Sequence, residues 1–413
     1  MAKEKLFESY IVTASTLVQQ YDGTIPLSDF LRQYFSLHKK FGSRDRKYVT
    51  ELCYCNYRTG HASPPRSLKG ELLKDENSIQ QKIVAALFLC SQQPNELLAQ
   101  LKPEWNKKTG YTLEEKISFL HRPFNITDIF PWQEELSESI DTISFAASHL
   151  TQPNLFLRIR PNKKEQVCRK LHENKIGFKE YSDDCLALTN TTKVESILES
   201  NKEVVVQDYS SQTVKEFLEI IASNIRHQTS AIKVWDCCAA SGGKSILAID
   251  VFKNVDLTVT DIRPSIIHNL KQRFKEAEIK NYHAFITDLQ TTNYKPQTTN
   301  FDLIICDAPC TGSGTWSRTP EQLYFFTKEK INYYVELQKK IVTNTIPHLA
   351  NNGFFLYITC SVFKKENEEV VEFILNNFKL QLVKQEVLVG YNKKADTMFG
   401  ALFKACRKIK IDF

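Results

Sequence analysis

No stretch of the 413 residues approaches the roughly 18 consecutive apolar residues that a membrane span needs. The opening MAKEKLFESY has no long apolar segment of the secretory kind. The chain is therefore expected in the cytoplasm, with no membrane partner. No C-x-x-C occurs among its eleven cysteines. The nearest approach, Cys53 and Cys55 in ELCYCNYR, has no second ligand pair close by, so no metal site is expected. Several cysteines sit inside apolar strand-like runs, VWDCC and FDLIICD, which suits reduced thiols rather than a disulfide framework. There is neither an internal repeat nor a low-complexity tract. Neither sign of charge dominates, with 54 Lys and Arg against 48 Asp and Glu. What is present is an ordinary globular composition, 42% hydrophobic and 25% charged, with length for two or three domains. A monomer is expected.

The distribution of charge says more than its sum. RIRPNKKEQVCRKLHENKIGFK, from Arg158 to Lys179, holds 8 basic and 2 acidic residues, a local excess of +6. Such an excess is the electrostatic footprint of a polyanion binder, with a solvated helix face as the alternative. A second basic turn, Arg44, Arg46 and Lys47, precedes an amphipathic helix in FGSRDRKYVTELCYCNYR.

The spacing of apolar residues divides the chain in three. Residues 1–150 repeat at three and four, as in Phe30, Leu31, Tyr34 and Phe35 or Ile83, Val84, Leu87 and Phe88, and predict a helical domain that SPPRS at 63–67 interrupts. Residues 151–206 predict a small α+β unit. It has strands at NLFLRIR, GFKEYS, LALTN and VVVQD, and helices at KKEQVCRKLHEN and VESILES. Residues 207–413 make the third region, in which strands and helices alternate from Ile232 onward and predict a parallel sheet covered by helices on both faces, an α/β fold.

DCCAASGGKS contains the Gly-Lys-Ser of a phosphate loop, but the motif G-x-x-x-x-G-K-[ST] demands a glycine where Cys238 stands. Without that glycine the backbone N–H groups cannot converge on phosphate. The small-residue turn Ala239, Ala240, Ser241, Gly242 and Gly243 instead suits a bulky ligand lying against backbone at the carboxyl edge of a parallel sheet. Acidic residues end the following strands: Asp261 in VTDIRPS, Asp288 in ITDLQ and Asp307 in ICDAPC. A succession of carboxylates fits a cofactor with ribose, an amine and a positive charge, as S-adenosylmethionine has, better than one carrying phosphates. Any one of them alone could simply cap a helix.

DAPCTGSGT and YITCSVFKKENEEVV each put a cysteine just past a buried strand, with Cys360 ahead of a helix expected from near Lys364. An inert cysteine sits within a strand, as Cys306 does, or fills the core, as Cys237 does. A thiol at the ligand-binding edge can act as a nucleophile. Addition of thiolate to C6 of cytosine makes C5 enamine-like and able to accept a methyl group from a sulfonium, after which a base must remove the C5 proton.

With these residues the chain resembles the RNA cytosine-5 methyltransferases, most closely the bacterial ribosomal RNA type, the RsmB group. The likeness covers most of the chain: SRDRKYVTELCY is similar to that group's N-terminal NusB-like helical domain. LFLRIRPNK opens what looks like its RRM-like unit, and GGKS, DAPCTGSGT and TCSVFKKENEEVV match its active-site motifs. The resemblance implies a Rossmann-like class I methyltransferase domain using S-adenosylmethionine on RNA, with 16S ribosomal RNA the expected partner and tRNA the alternative. It implies Cys360 as the nucleophile and Cys310 as the group that helps eliminate the enzyme. Asp307 would hold the cytosine edge, the Pro309 backbone would face the base's amino group, and Lys244 would lie near base and cofactor. Asp261 would bind ribose, Asp288 adenine, and the Cys238 to Lys244 backbone the methionine end. Arg158 and Arg160, with Arg44 and Arg46, would hold the RNA backbone. Ser241 stands where the group usually has proline, which loosens the turn but leaves both glycines and the lysine. Two competing functions have distinct signatures. Methylation of an exocyclic amine uses an Asn/Asp-Pro-Pro-aromatic turn, from which Asp307-Ala308-Pro309-Cys310 departs. A noncatalytic RNA-binding assembly factor needs none of Cys310, Cys360, Asp307 and Lys244.

Overall fold

A computed structural model describes residues 2–62, 76–120, 124–225, 230–291 and 300–406; the interruption at SPPRS lies outside them. In chain order, helices α1 (Ala2–Gln20), α2 (Leu27–Leu37), α3 (Ser43–Arg58), α4 (Glu76–Cys90), α5 (Glu96–Leu101), α6 (Pro103–Asn106), α7 (Leu113–Leu120) and α8 (Thr142–Ser148) come first. Strand β1 (Leu155–Ile159), helix α9 (Lys164–Glu173) and strands β2 (Lys179–Ser182), β3 (Cys185–Leu188) and β4 (Val204–Val206) follow. Then α10 (Tyr209–Thr213) and α11 (Lys215–Asn224) lead into β5 (Ile232–Asp236), α12 (Gly243–Phe252), β6 (Val255–Asp261), α13 (Pro264–Glu276), β7 (Tyr282–Ile286) and β8 (Phe301–Asp307). Helices α14 (Pro320–Phe325) and α15 (Glu329–Thr345), strand β9 (Leu349–Thr359), helix α16 (Glu368–Asn377) and strands β10 (Leu380–Leu388) and β11 (Met398–Ala405) complete the order.

Two compact units divide the chain. The first is helical and comprises residues 1–134, 141–152 and 316–327. Its core forms where the three-and-four repeat of α1, α3 and α4 turns Phe7, Ala14, Leu17, Leu52, Leu87 and Phe88 inward. The segment 316–327, read from sequence as part of the catalytic region, belongs to this unit. Phe325 stacks edge-on against Tyr21 at 5.5 Å between ring centres, and the Leu27 N–H donates to Glu321.

The second unit, residues 135–140, 153–315 and 328–413, contains two sheets. The smaller has the order β2-β3-β1-β4, all antiparallel. Residues 194–200, expected to be helical, form a turn over 195–197 instead. Val194 and Leu198 still pack into the small core.

The larger sheet has the order β10-β11-β9-β8-β5-β6-β7, with the strands from β9 to β7 parallel and β10 and β11 antiparallel. Near-continuous apolar runs such as FDLIICD and FFLYIT become strands buried on both faces, as parallel sheets require. Chain order reverses across β5, with β6 on one side and β8 on the other. In such sheets the crevice at the carboxyl ends beside the reversal is where ligands bind.

Candidate active site

The turn leaving β5 is shaped by backbone. The Ala239 N–H donates to Thr260 O (2.9 Å) and the Gly242 N–H to Ala239 O (2.8 Å), and Ala240 adopts a left-handed φ of 44°. Gly242 has φ 80°, and a Cβ there would meet the Phe274 ring at 2.6 Å, so only glycine keeps α12 close to α13. Gly243 then opens α12 with Lys244 in its first turn. Asp236, fully buried at the end of β5, accepts from Ser245 Oγ (2.6 Å) through Oδ2, while its Oδ1 has no protein partner. Burial, opposed by that hydrogen bond, pushes its carboxyl up to about 7.

Asp261 ends β6 with its carboxylate already engaged. Oδ1 accepts from Arg263 Nε (2.9 Å) and the Arg263 N–H (3.0 Å), and Oδ2 from Arg263 Nη2 (3.0 Å) and the Ala240 N–H (3.1 Å). Its pKa is lowered: burial works against this, and the Arg263 contacts outweigh it. About four acceptor positions exist on a carboxylate, and all four are filled. Asp288, past the end of β7, accepts the Gln290 N–H at 2.9 Å.

Lys244 Nζ lies 2.9 Å from Asp307 Oδ2, and the side chains are 12% and 25% exposed. Burial alone would lower the lysine pKa, yet the Asp307 charge and hydrogen bond, with Cys360 and Asp236 beyond, raise it. Past Asp307 the chain carries Cys310, and past β9 it carries Cys360. Their sulfurs approach to 3.2 Å, both half-buried. Helix α16 begins at Glu368 rather than near Lys364, because the intervening residues turn their side chains inward: Asn367 accepts from Thr359 Oγ1 (2.6 Å) and donates to Ser361 O (3.0 Å). Gly314 is required by close approach, since a Cβ there would meet Thr397 O at 1.9 Å. It is held by its N–H donating to Cys360 O at 2.9 Å.

Thus Lys244, Asp307, Cys310 and Cys360 gather at the carboxyl ends of adjacent strands, with the Cys238 to Gly243 turn alongside. Pro309 is exposed, and its carbonyl accepts from Gln338 Nε2 at 3.0 Å. The basic pair Arg158 and Arg160 is held largely inside the unit. Arg158 is 2% exposed, hydrogen-bonds Gln207 (2.8 Å) and pairs with Asp250. Arg160 reaches the same carboxylate at 2.9 Å and Asn201 O at 2.6 Å. Both guanidiniums meet the Asp250 carboxylate on α12, and burial of Arg158 follows from that counter-ion. In the helical unit Arg44 and Arg46 are exposed; Arg44 pairs with Glu96, and Arg46 donates to Phe41 O (2.9 Å).

Sequence reasoning passed over Glu366, Gln338 and Arg263. Glu366 lay in KKENEE, which reads as a solvated helix start, and its complete burial has no signal in composition. Cys237 and Cys306 are buried, as fillers would be. With Cys238 they form a group whose sulfurs all lie within 4.8 Å of one another, a soft-metal donor set in chemistry that no step below uses.

Residues 222–399 match the family model of the 16S rRNA methyltransferase RsmB/F. A ribosomal RNA small subunit methyltransferase B of Photorhabdus laumondii is 29% identical over 186 residues, covering 44% of this chain and 41% of that protein. The chain therefore spans less than half of this relative's length. The enzyme of the same name from Proteus mirabilis is 23% identical across 89% of this chain and 91% of its own. In fold, the crystal structure of PH0851 is similar over 97% of this chain and 98% of its own, with a TM-score of 0.67 at 19% identity.

Proposed function

Through residues 222–399 the chain belongs to the RNA cytosine-5 methyltransferase family, and from that premise we propose that it methylates C5 of a cytosine in RNA, with S-adenosylmethionine as donor. Small-subunit ribosomal RNA is the substrate that its relatives' names point to. The observation that carries this reading is the 3.2 Å approach of Cys310 and Cys360 beside the Lys244–Asp307 pair.

The cofactor fits the residues present. Asp236 Oδ1 is a buried acceptor without a protein partner at the end of β5, and Asp261 ends the next strand. The Cys238 to Lys244 backbone would take the methionine end, Asp261 the ribose and Asp288 the adenine. Because Asp261 is already saturated, ribose would take the place of Arg263, whose side chain is 57% exposed and free to swing outward. When bound, S-adenosylmethionine supplies an electrophilic methyl group.

The chain's own residues do the rest. The Cys360 thiolate adds to C6 while a proton from solvent is relayed through Asp307, which stands beside Lys244, to N3, so that the ring's electron pair is taken up there and C5 becomes an enamine carbon. The resulting enamine carbon, C5, takes the methyl group. Once Cys360 is bonded to C6, Cys310 gives its own proton to solvent and, as thiolate, takes the C5 proton while the C6–sulfur bond breaks, so that Cys360 leaves as thiolate, the C5–C6 double bond returns and N3 releases its proton to Asp307. Arg44 and Arg46 remain the exposed cations that would hold the RNA backbone.

The test supplies labelled S-adenosylmethionine and total RNA from cells lacking this gene, then identifies the labelled nucleoside. Label in 5-methylcytidine is expected, and mapping it assigns the RNA. Label in any other nucleoside contradicts the two-thiol chemistry.

A further inference from the structure

Glu366 is fully buried, yet none of the steps above uses it. Its Oε1 accepts from the Thr311 N–H (2.9 Å) and Gln338 Nε2 (3.1 Å), and its Oε2 from Thr311 Oγ1 (2.5 Å) and Ser361 Oγ. Thr311 directly follows Cys310, and Ser361 directly follows Cys360. One carboxylate thus ties the two thiol-bearing turns together through the neighbour of each thiol. Gln338 extends the tie to the other side of Cys310 through Pro309 O, and Tyr357 Oη donates to the carbonyl of Glu366 at 2.7 Å. Four donors fill the carboxylate, which is what makes its burial tolerable and its position fixed.

The pair it holds is electrically uneven. The cation, Lys244 on α12, interacts with Cys360. The Cys310 thiol is pushed well up, first by its contact with Cys360, then by burial, with the Glu366 charge adding to both. Tyr334 on α15 interacts with both thiols and Tyr357 on β9 with Cys310, and burial holds both phenols protonated; Asp307 ending β8 and Asp236 ending β5 act on Lys244.

We propose that Glu366 is a positioning residue that pins the Cys310 and Cys360 turns to each other and makes the two thiols unequal, leaving Cys360, on the Lys244 side, as the nucleophile. The contact with Cys360, burial and the Glu366 charge all hold the proton on Cys310, while the Lys244 ammonium stands on the Cys360 side. This rests on the two-thiol mechanism proposed above.

The test needs neither RNA nor cofactor. The full chain is pulsed with limiting iodoacetamide from pH 6 to 9, and alkylation of Cys310 and Cys360 is quantified by peptide mass spectrometry. Cys360 is expected to react about tenfold faster than Cys310, the thiol whose proton is held, and Glu366→Gln is expected to remove most of that preference. Melting temperature and S-adenosylmethionine binding report whether the variant is folded. Should it not fold, Thr311→Val and Gln338→Ala, which each remove part of the tie, carry the test and are expected to narrow the ratio. A faster Cys310 in the wild type, or a ratio unmoved in the folded variants, overturns the proposal. If the wild type methylates RNA and the ratio ignores Glu366, only this inference falls. If the wild type never transfers methyl to cytosine, the reading beneath it falls whatever the alkylation shows.

Discussion

Asp307, at the end of β8, receives the Lys244 ammonium at 2.9 Å, so the first turn of α12 and the strand end beside the cysteines are joined by one ion pair. The pair is screened little, because both side chains are largely withdrawn from water. Lys244→Ala leaves the carboxylate uncompensated where charge must be controlled during addition to cytosine. Turnover is expected to fall by about 100-fold or more, with RNA affinity changing far less. A variant with kcat unchanged and only KM raised would remove Lys244 from the chemistry.

Arg263 competes for the carboxylate assigned to ribose. Arg263→Ala is expected to tighten S-adenosylmethionine binding a few-fold by freeing Asp261, and Asp261→Ala to weaken it by about tenfold or more, the cost of a lost charge-assisted hydrogen bond. Calorimetric titration reads both. Weaker binding in Arg263→Ala would make the arginine a cofactor contact instead.

The carboxyl of Asp236, pushed up to about 7 by burial, gives the apo protein a signed pH dependence. Its folded pKa lies above its unfolded value, so between roughly pH 4 and 7 the folded state holds more protons and stability falls as pH rises through that window. The melting temperature of the unit is expected to decline across it, and Asp236→Asn to flatten that decline. An unchanged slope in the variant would assign the titration elsewhere.

The two kinds of arginine predict opposite outcomes. Arg158→Ala leaves Asp250 to Arg160 alone and the Gln207 acceptor unpaired, and is expected to cost about 2 kcal/mol of stability, seen in denaturant unfolding. Exchanging the exposed Arg44 and Arg46 for glutamine should leave stability nearly untouched and reduce the salt dependence of RNA binding. RNA binding that is indifferent to salt in the wild type would contradict a backbone-holding role.

The alternation of apolar strand and amphipathic helix made the large sheet legible, because buried parallel strands such as FDLIICD announce themselves as unbroken apolar runs. The strand-end residues Asp261, Asp307 and Cys360 were legible for the same reason: strand ends can be counted in sequence, and the ligand edge is always the carboxyl one. Burial of charge was not legible. Arg158 looked like part of a solvated basic stretch until β1 carried it against Asp250, and Glu366 looked like helix surface until it turned inward to Thr311 and Ser361. In both, a partner distant in sequence decides whether a charge faces water, and local pattern carries no record of that partner. The helix expected near Lys364 started late for this reason, since Glu366 and Asn367 are held by side chains before they can join α16.

The central claim is that Cys360 forms a bond to RNA that Cys310 is needed to break. Cys310→Ser, incubated with S-adenosylmethionine and RNA from cells lacking the gene, is therefore expected to accumulate an adduct stable to denaturing electrophoresis. Peptide mapping should place its linkage at Cys360, and the adduct should be absent from the Cys360→Ser protein. Methyl transfer that survives in Cys360→Ser would contradict the account outright.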